Sequence, residues 1–243
     1  MKLLRALCLM LALMISCAVA ETWEWVEEPL PAPTDTRRLA GFCVGIDPGH
    51  QAKQNSGKEA VAPGSDEMKM KVSSGTAGVK TGRAEYAVNL EIALQLRDAL
   101  EALGCTVYMT REVNEVDISN QERALMMNDL GADIVLRLHC NGSTNKSANG
   151  IGLYVNKTGA IAENSYKAAE LLLPAMTAAT GARADGIFRR DIYTGLNWSQ
   201  VPCILVEMGY MSNPEEDVKL SDPGYQRKLV EGMTEGLCSW FGV

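Results

Sequence analysis

The 243-residue chain contains two histidines, His50 and His139, and each lies just past the carboxyl end of an apolar run. His50 follows Phe42–Ile46 through an Asp47-Pro48-Gly49 turn, and His139 follows Ile134-Val135-Leu136-Arg137-Leu138. Taken singly, each reads as an ordinary turn or strand-end residue. Their matched placement points instead to a shared metal. Neutral imidazole is the commonest zinc ligand, and open α/β sheets bind ligands in the crevice beyond the carboxyl ends of their strands. A third ligand is then required. Glu85 stands three residues before Val88 and seven before Ile92, which places its carboxylate on the apolar stripe of a helix. The helix macrodipole alone also favours an acid there, so that reading stays open. Glu59, Asp66 and Glu67 compete for the role from an irregular stretch that would hold ligand geometry poorly.

Glu207 ends another apolar run, Val201-Pro202-Cys203-Ile204-Leu205-Val206. A carboxylate there is costly to bury unless it is used or paired. A hydrolytic zinc site keeps one position open for water, and a nearby carboxylate takes the proton of that water and passes it to the leaving nitrogen. Glu207 suits that role; the alternative is a salt-bridged strand-end glutamate. The chemistry calls for one zinc ion per chain.

These residues need rigid elements to hold them. The patterning predicts strands over Phe42–Ile46, Thr106–Met109, Asp133–Leu138, Gly152–Val155 and Cys203–Val206. It predicts helices over Arg83–Leu103, from a Ser119 cap to Leu130, over Ile161–Thr180 and over Tyr225–Trp240. Ser119 and Glu122 have the spacing of a capping box. Strands alternating with helices of this length imply a single α/β domain, a twisted, mostly parallel sheet with helices on both faces. Gln51–Gly82 breaks the pattern, being poor in large apolar residues. A long irregular stretch in a compact domain is usually functional or disordered, and both ends of this one abut proposed ligands, so it is expected to form a flap or wall of the cleft.

Residues 1–20 read as a secretory signal peptide. Lys2 and Arg5 precede the uncharged segment Ala6–Val19, and Ala18-Val19-Ala20 offers a small-x-small cleavage site. The apolar stretch is shorter than the ~20 residues of a membrane span, while Ser16-Cys17 leaves a lipoprotein signal as a lesser alternative. Residues 21–39, with Pro29, Pro31 and Pro33, read as an extended linker, so the catalytic domain is expected over 40–243. The expected location is secreted, at the cell wall or in the periplasm. A net charge of −7 argues against a nucleic-acid partner, which needs a basic face. Beyond the signal, Cys43, Cys105, Cys140, Cys203 and Cys238 form no metal-type spacing, and buried free thiols are expected.

The ordered set Val44-Gly45-Ile46-Asp47-Pro48-Gly49-His50, Glu85 before Asn89-Leu90, Leu136-Arg137-Leu138-His139-Cys140-Asn141 and Leu205-Val206-Glu207-Met208-Gly209-Tyr210-Met211-Ser212-Asn213 resembles the motifs of the zinc-dependent N-acetylmuramoyl-L-alanine amidases, the type-3 amidase family. The resemblance covers residue 42 to the C-terminus. It implies zinc held by His50, Glu85 and His139, catalysis by Glu207, and peptidoglycan as substrate, cut between the muramic acid lactyl group and L-alanine. Alternatives are a zinc peptidase acting within the stem peptide and a non-catalytic wall-binding regulator. The chain departs from the family pattern in the long stretch between His50 and Glu85, in Gly195-Leu196-Asn197-Trp198 where a Leu-Arg pair is usual, and at Cys140.

Overall fold

The apolar runs assemble into a six-stranded mixed sheet in a computed structural model that describes residues 37–243. In chain order the strands are β1 (Cys43–Pro48), β2 (Asn55–Ala60), β3 (Met68–Val72), β4 (Thr106–Met109), β5 (Ile134–Asn141), β6 (Ile151–Val155), β7 (Ala184–Arg189) and β8 (Cys203–Tyr210). The helices are α1 (Glu85–Ala102), α2 (Asn120–Asp129), α3 (Ala162–Thr180), α4 (Thr194–Asn197), α5 (Pro214–Leu220) and α6 (Pro223–Phe241). The main sheet has the order β4-β1-β5-β8-β6-β7. Strands β4, β1, β5 and β8 run parallel, β6 pairs antiparallel with β8, and β7 pairs parallel with β6. Helices cover both faces, as the alternation of elements predicts.

Alternate residues of each strand go to opposite faces. Val44, Ile46, Ile134, Leu136, Leu138, Ile204 and Val206 pack in the main core with the apolar stripes of α1, α3 and α6. On the other face, Val135, Cys203 and Leu205 pack with Met127 of α2 and Leu196 of α4. Ser119 caps α2 with both bonds of the capping box, so this helix starts where its sequence signature places it. The five cysteines beyond the signal are free; Cys43 is partly exposed and the others are buried.

Four differences separate the sequence reading from the structure. Gln51–Gly82 is not structureless: β2 and β3 form a separate two-stranded antiparallel sheet. Its residues, such as Lys58, Lys69 and Lys71, are too polar for apolar alternation to reveal strands, because little of the ribbon enters a core. Strand β7 went unrecognised because Ala184–Arg189 is an edge strand with no fully buried residue. Strands β5 and β8 also run on past their apolar runs, so His139 and Glu207 lie inside strands rather than beyond them. Leu39 is fully buried and Arg38 pairs with Glu235, so the packed body begins before residue 40. The signal peptide and the linker up to residue 36 lie outside the described residues. Among the described residues, no helix is long and apolar enough to cross a membrane.

Candidate metal centre

The second face of the sheet changes from apolar to polar towards the carboxyl ends of its strands. Val135, Arg137 and His139 alternate along β5, and Cys203, Leu205 and Glu207 along β8, with His139 and Glu207 as register partners. Where the cover of α2 and α4 runs out, a cavity of about 360 Å³ opens, lined by His50, Glu85, His139 and Glu207 among others. The β2–β3 ribbon supplies part of its wall through Lys69 and Met70, with Ser73 just beyond β3.

His50 sits at the end of the turn after β1 with φ of 62°, a left-handed conformation that is uncommon for a residue with a Cβ. Such strain persists where the surroundings over-determine it. Here the His50 carbonyl accepts from Arg123, and Nδ1 lies 2.9 Å from the Ser73 carbonyl. A carbonyl can only accept, so Nδ1 carries the proton and Nε2 presents its lone pair. That Nε2 is 3.1 Å from Glu85 Oε1 and 3.2 Å from His139 Nδ1, and His139 Nδ1 is 3.1 Å from Glu85 Oε1.

Glu85 occupies the first turn of α1. The Cys140 N–H donates to its Oε1 and the Thr76 N–H to its Oε2, while Asn89, one turn along α1, donates to Oε1. Burial alone would raise its pKa, but the His139 and His50 rings hold it well below the usual carboxylate range. Burial works against a charged His50 too, but Glu85 and the Ser73 carbonyl outweigh it and raise that pKa. At His139 burial prevails and favours the neutral ring. The backbone is fitted tightly around the cluster. Gly75 has φ of +75°, and a Cβ there would come within 2.7 Å of Glu85 Oε2 and 2.9 Å of the His50 ring.

Three electron-rich atoms, two imidazole nitrogens and a carboxylate oxygen, thus converge at mutual distances of 3.1 to 3.2 Å. With both rings neutral, as binding a cation through them requires, at most one proton, on His139 Nδ1, relieves their repulsion, and placing it there leaves the lone pair of His139 Nε2 buried without a partner. A cation fits this donor set, and among the described residues His50, Glu85 and His139 form the group able to hold one. Glu59, the sequence competitor that is buried, accepts from the Gln121 N–H instead, away from this cluster. Glu207 remains apart. It keeps part of its surface open to the cavity, yet its Oε2 is shut off from solvent and has no hydrogen-bond partner. Burial, with the charge of Glu85 adding to it, raises its pKa well above the ordinary carboxyl value.

The sequence reading singled out these four side chains but not their supports. Ser73, Thr76 and the Cys140 N–H orient the cluster, and nothing in their types announces it. Arg137 carried a signal that was passed over, as a charged residue inside an apolar run that must be buried.

Fold and site together define a single α/β domain with a candidate metal centre towards the carboxyl ends of its parallel strands. The family model for N-acetylmuramoyl-L-alanine amidase, Amidase_3, matches residues 44–239, and the chain belongs to this family of amidases. The N-acetylmuramoyl-L-alanine amidase Rv3717 of Mycobacterium tuberculosis is 32% identical over 217 residues, spanning 84% of this chain and 88% of that protein. The N-acetylmuramoyl-L-alanine amidase LytC of Bacillus subtilis is 29% identical over 203 residues, but these span only 36% of LytC. The crystal structure of the N-acetylmuramyl-L-alanine amidase Ami1 from Mycobacterium smegmatis superposes with a TM-score of 0.77 at 26% identity, covering 84% of this chain and 98% of that one.

Proposed function

We propose that the chain is a zinc-dependent amidase acting outside the cytoplasmic membrane, where it hydrolyses the bond between the lactyl group of N-acetylmuramic acid and L-alanine in peptidoglycan. The observation that carries the metal is the convergence of His50 Nε2, Glu85 Oε1 and His139 Nδ1 to within 3.1 to 3.2 Å of one another. These three residues would hold the ion. A zinc ion there supplies Lewis acidity, easing deprotonation of water and polarising the scissile carbonyl.

Glu207 moves the proton. Its carboxylate accepts one from the attacking water as the new C–O bond forms, and returns it to the alanine nitrogen as the C–N bond breaks. Burial supports this by raising its basicity above that of an ordinary carboxylate, which favours taking the proton from water. The products are a lactyl carboxylate and a peptide with a free amino terminus. With a net charge of −7, the chain must recognise the wall through this cleft rather than through bulk attraction.

The deciding experiment is mass spectrometry of purified peptidoglycan digested by the zinc-loaded protein, with metal analysis of the same sample. Released peptides beginning at L-alanine, with glycan strands intact, are expected. Cleavage within the stem peptide would replace this reading with a peptidase, and no cleavage would favour a wall-binding regulator.

A further inference from the structure

Beneath the cavity lies a cluster with more cations than anions. Arg123 and Arg137 share a single carboxylate, Asp47, at 2.9 and 3.1 Å, and all three are at most 3% exposed. Arg123 is fully engaged, donating to Asp47, Gln51 and the carbonyls of Pro48, His50 and Ile118. Arg137 is not. Its one well-directed hydrogen bond goes from Nη2 to Asn120 Oδ1 at 3.0 Å, and its Nε is buried with no partner. The guanidinium packs against Gly195, where any Cβ would overlap it, and Arg137, Asn120 and Gly195 all line the cavity. A buried arginine that shares its one carboxylate with a second arginine and has an unpartnered Nε beside an open cavity is an expensive arrangement unless something compensates it.

We propose that Arg137, with Asn120 holding its guanidinium, binds a free carboxylate of the substrate. This rests on the amidase reading, in which the carboxylates that share the cavity, Glu85 and Glu207, are committed to the metal and to proton transfer. Arg137 lies two residues before His139 on the same face of β5, so the anion sits about 7 Å from the reacting centre along the strand. That span corresponds to about two residues of extended peptide. The acyl side has no free carboxylate to offer, because the lactyl carboxyl is already in the scissile amide. The anion therefore belongs to the peptide, within about two residues of the bond that is cut. Arg137 is a specificity-determining residue that favours stems bearing a free acid there over stems bearing an amide.

The test uses two synthetic N-acetylmuramoyl-L-alanyl dipeptides that differ only at the carboxyl group of the second residue, one a free acid and the other its primary amide. Zinc-loaded wild-type protein is expected to prefer the acid by roughly 10- to 100-fold in kcat/KM, mainly through KM, as a charge-assisted hydrogen bond would give. In Arg137→Gln and Arg137→Met the ratio should collapse towards one, because the loss falls on the acid; Arg137→Lys should restore part of it. Circular dichroism and zinc content verify that each variant folds and loads. Equal kinetics on both substrates in the wild type overturn the proposal even if every variant fails to fold. Equal losses on both substrates in Arg137→Gln do so as well, since a purely structural arginine would act that way. Failure of the wild type to cleave either compound would instead remove the amidase reading on which the proposal depends.

Discussion

His139 of β5 and Glu207 of β8 are register partners on adjacent parallel strands, so the two side chains leave the same face of the sheet side by side. The ladder shifts register one step later, between His139 and Asn141. Placing a candidate ligand and a candidate proton carrier on a shared ladder fixes their separation by backbone hydrogen bonds rather than by loop conformation, which is the more rigid solution for a site.

The two glutamates should therefore fail differently. Glu207→Gln keeps its shape but cannot accept the proton, and activity should fall by ~10²–10⁴-fold with zinc retained. Glu85→Gln should lose zinc and activity together, since a neutral amide is a poorer ligand for a dication. Zinc content and turnover, with circular dichroism for folding, separate the outcomes. Near-wild-type activity in Glu207→Gln would sink the mechanism, and zinc lost from Glu207→Gln but kept by Glu85→Gln would exchange the roles.

The wild-type protein should bind about one zinc per chain, with two imidazoles and a carboxylate as ligands. Removing it with a chelator should abolish activity and adding zinc should restore it. Full activity in a sample shown by elemental analysis to be metal-free contradicts the assignment.

Gly75 and Gly64 have nearly the same positive φ, +75° and +73°, but only Gly75 touches the site; nothing lies within 4 Å of a Cβ at Gly64. Gly64→Ala and Gly75→Ala should both pay about 1–2 kcal/mol for the left-handed conformation. Only Gly75→Ala should also weaken zinc affinity, by pressing on Glu85 and His50. Equal zinc affinity in both variants, measured by competition with a chromogenic chelator, would mean the cluster is looser than its packing indicates.

Asp47 ties acid stability to the same region. Burial would raise its pKa, but Arg137 and Arg123, with the Thr110 hydroxyl, hold it well below the usual range. A depressed folded-state pKa adds stability that is fully present above the unfolded value of about 3.9 and is lost as pH falls through the folded one. Asp47→Asn should remove that acid dependence and cost about 3–5 kcal/mol near neutrality, by leaving buried arginines uncompensated. Urea titrations of both proteins at several pH values provide the measurement; an unchanged midpoint at neutral pH would refute the pairing.

The β2–β3 ribbon is clasped from the opposite side of the cleft. Trp198 Nε1 donates to the Ala60 carbonyl, Asn197 to the Val61 carbonyl and Lys69 to the Ile192 carbonyl. Trp198→Phe deletes one clasp bond at a cost of about 1 kcal/mol. Faster amide hydrogen exchange in 55–72 and a raised KM are expected, with zinc content unchanged. Unaltered exchange would show that the indole does not hold the wall in place.

What the sequence by itself determined is the part governed by periodicity and residue chemistry. Apolar runs and helical stripes place the core strands and the four long helices to within a few residues, because burial of a repeating face selects one period over another. Histidine and glutamate at the ends of those runs mark the candidate centre, since polar groups are placed there only if they are paired or used. Tertiary structure alone decided what depends on elements distant in sequence. The sheet register sets His139 beside Glu207, the polar ribbon of 55–72 is held by docking on 192–198 rather than by entering a core, and the neighbours of Arg137 leave its buried Nε without a partner. Local pattern reports which residues must be buried, whereas partners and unmet hydrogen-bonding capacity are properties of the assembled chain.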